Sequence, residues 1–103
     1  MIAHYMLEGK TPILCDDIDV WAEWFFSADG LRDGRVAFTE LTGYRIVTSF
    51  IGLDHASRFD GHPLLFRTAI YNEDSEEIGE RYYHTWDEAE LGHNEAVEDL
   101  RNV

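Results

Sequence analysis

The sequence predicts an α+β domain: an antiparallel sheet of about four to six strands with two helices packed on one face. Strand-like runs are joined by glycine-bearing turns too short for a parallel crossover. Apolar residues recur at helical spacing early in the chain, and a capping box opens a second helical stretch near its end.

Residues Ile2 to Leu7 read as a short strand, Glu8-Gly9-Lys10 as a turn, and Thr11 to Cys15 as the returning strand, which Pro12 pushes toward an edge. Asp16 and Asp17 are N-cap candidates for a helix running to about Asp29. Its inner face is expected to carry Ile18, Trp21, Phe25 and Ala28, with Trp24 beside them, Asp19 and Glu23 wet, and Gly30 as the C′ residue.

Arg35 to Thr42 alternates, Gly43 turns the chain, and Tyr44 to Leu53 follows with apolar groups on both faces, so this second strand is expected at the sheet centre. A polar loop, Asp54 to His62, leads to a strand over Pro63 to Tyr71. Asn72 to Gly79 reads as an acidic loop and Arg81 to His84 as one more short strand. Thr85-Trp86-Asp87-Glu88 is a capping box, in which a hydroxyl and a carboxylate satisfy free backbone N–H groups. The helix it starts is expected to reach Asn102 with Trp86, Ala89, His93, Ala96 and Leu100 inward, and Glu90 and Asp99 exposed. The order β-β-α-β-β-β-(β)-α is a single acidic domain over residues 1–103, without internal repeat or linker.

Composition narrows function more than any motif does. Twenty-one Asp and Glu against eight Lys and Arg give a net charge of −13 over 103 residues. That balance opposes direct binding to nucleic-acid phosphate and favours basic protein partners. The acids are interleaved with aromatics across a chain that is 45% hydrophobic, which marks a folded acidic domain and not a disordered acidic tail. No apolar run approaches the roughly 20 residues that span a bilayer, no signal peptide is expected, and no membrane partner is implied. The lone Cys15 fits a reducing cytosol and reads as a small buried hydrophobe.

Chemistry-bearing clusters are few. Asp54, His55, Asp60 and His62 gather near a strand end, and a small metal-dependent enzyme built on them is the alternative reading. Their spacing fits no zinc motif, and a loop of solvated, turn-forming residues is favoured over it. His93 is expected as a core histidine with a hydrogen-bonded ring nitrogen, and His84 simply packs beside the cap. The serines lie in no nucleophile elbow and phosphate-cradling loops are absent, so no catalytic residue, metal or cofactor is assigned. The candidate contact surface comprises the acids of the run Glu73, Asp74, Glu76, Glu77 and Glu80, with Glu90, Glu95, Glu98 and Asp99 of the last helix. The uncovered sheet face is a candidate homodimer interface.

The pattern Thr48-Ser-Phe-Ile-Gly-Leu-Asp-His55, Pro63-Leu-Leu-Phe66, Arg81-Tyr82 and Thr85-Trp-Asp-Glu-Ala-Glu90 with Gly92-His93 resembles a group of small uncharacterised phage and prophage proteins. Tyr5-Met-Leu-Glu-Gly-Lys-Thr-Pro12 and Trp24-Phe25 share the likeness, which covers most of the chain. The chain departs from the group at Arg67, where an acid tends to stand, and in its longer His-bearing loop at 56–62. The resemblance implies a phage-encoded accessory protein in a bacterial cytoplasm, of the kind that blocks host nucleic-acid-binding machinery such as restriction or CRISPR complexes. A virion or assembly component is a further alternative.

Overall fold

Gly52 joins the two halves of the fold. In a computed structural model, which describes residues 3–53 and 63–102, Gly52 sits at φ 72° and its carbonyl accepts from Tyr5 N at 2.8 Å. A Cβ there would meet Phe25 and the Trp21 indole nitrogen at 3.0 Å, so both backbone angle and space call for glycine. This hydrogen bond, with the His4–Leu53 bridge, ties a two-stranded hairpin to a four-stranded sheet.

The hairpin comprises β1 (His4–Glu8) and β2 (Thr11–Cys15). Two helices follow, α1 (Ile18–Phe25) and α2 (Ala28–Asp33), then β3 (Arg35–Leu41), β4 (Tyr44–Phe50), β5 (Phe66–Asn72) and β6 (Glu77–Tyr83), and finally α3 (Trp86–Arg101). The four later strands form an antiparallel meander in the order β3-β4-β5-β6, with β4 central as its two apolar faces predict. The α+β class therefore holds.

Several element boundaries move. The helix expected over residues 17–29 is two helices, because Ser27 interrupts it: its hydroxyl donates to Trp24 O at 2.6 Å and accepts from Gly30 N at 3.0 Å, capping α2. Gly30 thus lies inside α2 and not past a helix end. Ile18 and Ala28 are exposed and not on the inner stripe, Trp21 is buried as expected, and Phe25 is half-buried. The acidic stretch expected as loop over residues 72–79 divides, with 73–76 forming a turn and 77–79 belonging to a strand. The turn is capped by the Asn72 side chain accepting from Asp74 N and Glu76 N, so β6 begins at Glu77.

The two long helices have different work. α3 lies across β3 to β6, whereas α1 packs chiefly on the hairpin and reaches the sheet's end through Trp24 against Phe50. This division differs from two helices laid over one sheet face. Trp21 anchors α1 by donating from Nε1 to Tyr5 O at 2.9 Å.

Under α3 the core has three bands set by strand register. Ile46 faces Ile70 and packs with Ala96 and Val97. Phe50 faces Phe66 and packs with Leu65 and Ala89. Between these apolar clusters Thr48 faces Thr68, and His93 descends onto them, all three buried.

Candidate functional site

The α3 face opposite the core carries the last-helix acids expected to make contact. Glu90, Glu95, Glu98 and Asp99 are all exposed, as helical spacing from the buried Ala89, His93 and Ala96 requires. Three of them hold neighbours. Glu90 accepts from Trp86 Nε1 at 2.5 Å and lies 3.6 Å from Lys10, Glu98 meets Arg101 at 3.3 Å, and Asp99 meets Arg81 at 2.8 Å. Exposed pairs of this kind hold little energy and exchange readily for a partner's charge. Leu91, 61% exposed, stands among these carboxylates.

The second group divides. Glu73, Asp74 and Glu76 are exposed at the β5–β6 turn. Glu77 and Glu80 instead face the side of the sheet away from α3, where both clasp Arg67. The expected acids therefore form no single strip: the sheet itself separates Glu77 and Glu80 from the outer helix.

Among the described residues, no element covers that second face, and register arranges it in three rows. One end row is Arg35, Ser49, Arg67 and Tyr82; the middle row is Phe38, Val47, Ala69 and Glu80; the other end row is Glu40, Arg45, Tyr71 and Glu77. Arg35 lies over Phe38 and Arg45 over Tyr71, each within cation–π range. To reach Glu77 and Glu80 from its own row, Arg67 runs along the strand past Ala69, which is only 4% exposed on an uncovered face. Partial burial works against the Arg67 charge, but hydrogen bonds that Arg67 donates to Glu77 and Glu80, with the Tyr82 hydroxyl beside them, outweigh it and raise its pKa above the ordinary value.

The sequence predicts an open sheet face but not the charge pattern on it. Arg35, Arg45 and Arg67 are far apart in the chain, and only the strand register aligns them; the alternation within each strand was the available signal.

The one buried titratable site among the described residues is a hydroxyl–imidazole chain. Tyr83 OH donates to Thr68 Oγ1 at 3.1 Å, Thr68 and Thr48 share a 2.5 Å contact, Thr48 lies 2.7 Å from His93 Nδ1, and His93 Nε2 lies 2.8 Å from Thr39. With Tyr83 donating to Thr68, every contact is satisfied by an assignment in which Thr68 donates to Thr48, Thr48 donates to Nδ1, and the imidazole carries its proton on Nε2, which donates to Thr39. Burial pushes the His93 pKa below its ordinary value. His84 Nδ1 lies 3.0 Å from Pro63 O, and Cys15, expected buried, is half-buried with its thiol against Asp17 O at 3.3 Å.

Asp54, His55, Asp60 and His62, the residues of the metal alternative, lie outside the described residues. Among the described residues no group of three His, Cys, Asp or Glu is placed to hold a metal ion, and no helix is long and apolar enough to cross a membrane. Compared with protein-family models, curated proteins and solved structures, the chain matches none.

Proposed function

We propose that this chain is a non-enzymatic interaction protein that binds a basic, nucleic-acid-binding surface of a host protein in the bacterial cytoplasm, as a phage or prophage anti-defence inhibitor would. The outer face of α3 supports this reading most. The ion pairs of its carboxylates are with solvent-accessible, exchangeable cations, and Leu91 among them would add apolar contact to a charged interface. The net charge of −13 supplies long-range attraction to such a partner, and the acids of the β5–β6 turn extend the same field.

The partner is captured from a bacterial lysate and then measured as pure protein. It is expected to bind nucleic acid on its own and to be displaced by excess duplex DNA. The complex should weaken at least tenfold between about 0.1 and 0.5 M salt. The double variant Glu95→Lys with Glu98→Lys should weaken binding by a similar factor. A neutral or acidic partner that stays bound in molar salt overturns the reading.

A further inference from the structure

The uncovered sheet face carries almost none of the protein's charge excess. Its three arginines, Arg35, Arg45 and Arg67, are matched by Glu40, Glu77 and Glu80, so the face is neutral on a chain of net charge −13. A polyanion would find no net attraction there, nor would a strongly basic surface. A copy of the same face, equally neutral, can instead pair its opposite charges one by one.

We propose that two copies of this chain pair face to face through β3–β6, about a two-fold axis that runs across the strands through the middle row. A two-fold interface is isologous, so each residue's counterpart is fixed once the axis is chosen. With the axis across the strands, one end row of each copy lies over the opposite end row of the other. Arg35 then faces Glu40 of the second copy, while the Arg67 and Tyr82 positions, whose polar ends are held by Glu77 and Glu80 of their own copy, lie over Tyr71 and Glu77. Phe38, 47% exposed, and Val47 meet their own counterparts on the axis and supply the apolar centre. Glu80 also meets its counterpart, but each is already held by Arg67 at 3.0 Å. An axis along the strands fits less well: it sets Glu40 against Glu77 and Phe38 against Glu80. The strands of stacked sheets stay within about 30° of one another, which preserves these pairings.

Strand spacing and length give the face a footprint of roughly 400 Å², about half of what each partner contributes to a stable interface. The dimer is accordingly weak, with a dissociation constant on the order of 10 µM. It leaves α3 of both copies on the outside.

Sedimentation equilibrium from micromolar to several hundred micromolar protein tests the pairing. The unmodified chain should pass from monomer to dimer over that range. Arg35→Glu and Glu40→Arg should each weaken the dimer at least tenfold, and the two together should restore it to within threefold. Arg35 and Glu40 stand roughly 15 Å apart on one strand, so recovery comes only from contact between copies. Glu40→Arg also discriminates pairing from overall repulsion, because it makes the net charge of −13 less negative and would strengthen a merely repulsion-limited association. Circular dichroism confirms that each variant folds. A monomer at every concentration, a strengthened Glu40→Arg dimer, or charge reversals that fail to restore each other overturns the proposal.

Discussion

Thr48 Oγ1 lies 2.7 Å from His93 Nδ1, linking the middle of the central strand to the middle of the covering helix inside an otherwise apolar core. His93 is 2% exposed and, among the described residues, both of its hydrogen-bond partners are uncharged hydroxyls, which do little to offset an imidazolium.

Acid should therefore unfold the protein in part through His93. Its folded pKa is lowered from 6.5 by burial, so below that value the unfolded chain takes up the proton first. The stabilising effect is complete above about pH 6.5 and is lost as pH falls toward the folded pKa, at up to about 1.4 kcal/mol per pH unit. Urea midpoints measured between pH 7 and 5 should fall more steeply for the unmodified protein than for His93→Gln. Equal slopes would show that His93 is not the group being titrated.

Thr48→Val keeps the shape but removes the central link of the chain. Thr68 loses its acceptor and Nδ1 its donor, so the expected cost is about 1–3 kcal/mol. Adding Thr68→Val should cost less than the two single changes summed, because the Thr48–Thr68 bond can be lost only once. Chemical denaturation of the four proteins in this cycle checks it.

Local signals in the sequence were legible, and long-range ones were not. The Thr85 cap was readable because the residues that make it are three apart: Glu88 N donates to the Thr85 hydroxyl at 3.1 Å. Apolar spacing likewise placed Trp21 and Ala89 in the core and left Asp19 and Glu23 wet. His93 was readable as a buried histidine, but its partners were not, since Thr48 and Thr39 are 45 and 54 positions away. The open face itself was expected, but its rows of charge were hidden for the same reason, with an added obstacle. The register shift between Ile70 and Tyr71 lets Glu77 enter a strand whose opening acids read as loop. Ser27 was a different failure: its hydroxyl competes with the helix, and helical periodicity carries no sign of that competition.

Trp21 and Trp86 were both expected to face inward, and the structure separates them. Trp21 is buried, stacks on Phe25 at 4.9 Å and bonds Tyr5 O, whereas Trp86 is half-buried with its ring nitrogen on the exposed Glu90. Trp21→Ala should cost about 3–5 kcal/mol and Trp86→Ala appreciably less. Thermal melts of the two variants should differ in that order.

Arg67→Ala should cost about 1 kcal/mol, discounted for the solvent exposure of its partners. Part of that cost is charge, since Glu77 and Glu80 lose the cation between them, and part is the stem lifted from Ala69. The charge part screens and the packing part does not, so 1 M salt should shrink the difference in melting temperature without abolishing it.

Gly92 decides between two opposing effects. Alanine in a helix interior is favoured over glycine by about 1 kcal/mol, so Gly92→Ala would stabilise an unobstructed helix. Here the added Cβ would overlap the Tyr83 ring, which is held in place by its hydroxyl bond to Thr68. Displacing the ring costs about 1–3 kcal/mol in overpacking and breaks the first link of the hydroxyl chain. The clash outweighs the helical gain, and Gly92→Ala should be net destabilising. Removing the obstacle should reverse the sign: in a Tyr83→Ala background the same substitution should raise the urea midpoint. If Gly92→Ala destabilises both backgrounds equally, the close approach of α3 to β6 at this ring is not what requires glycine.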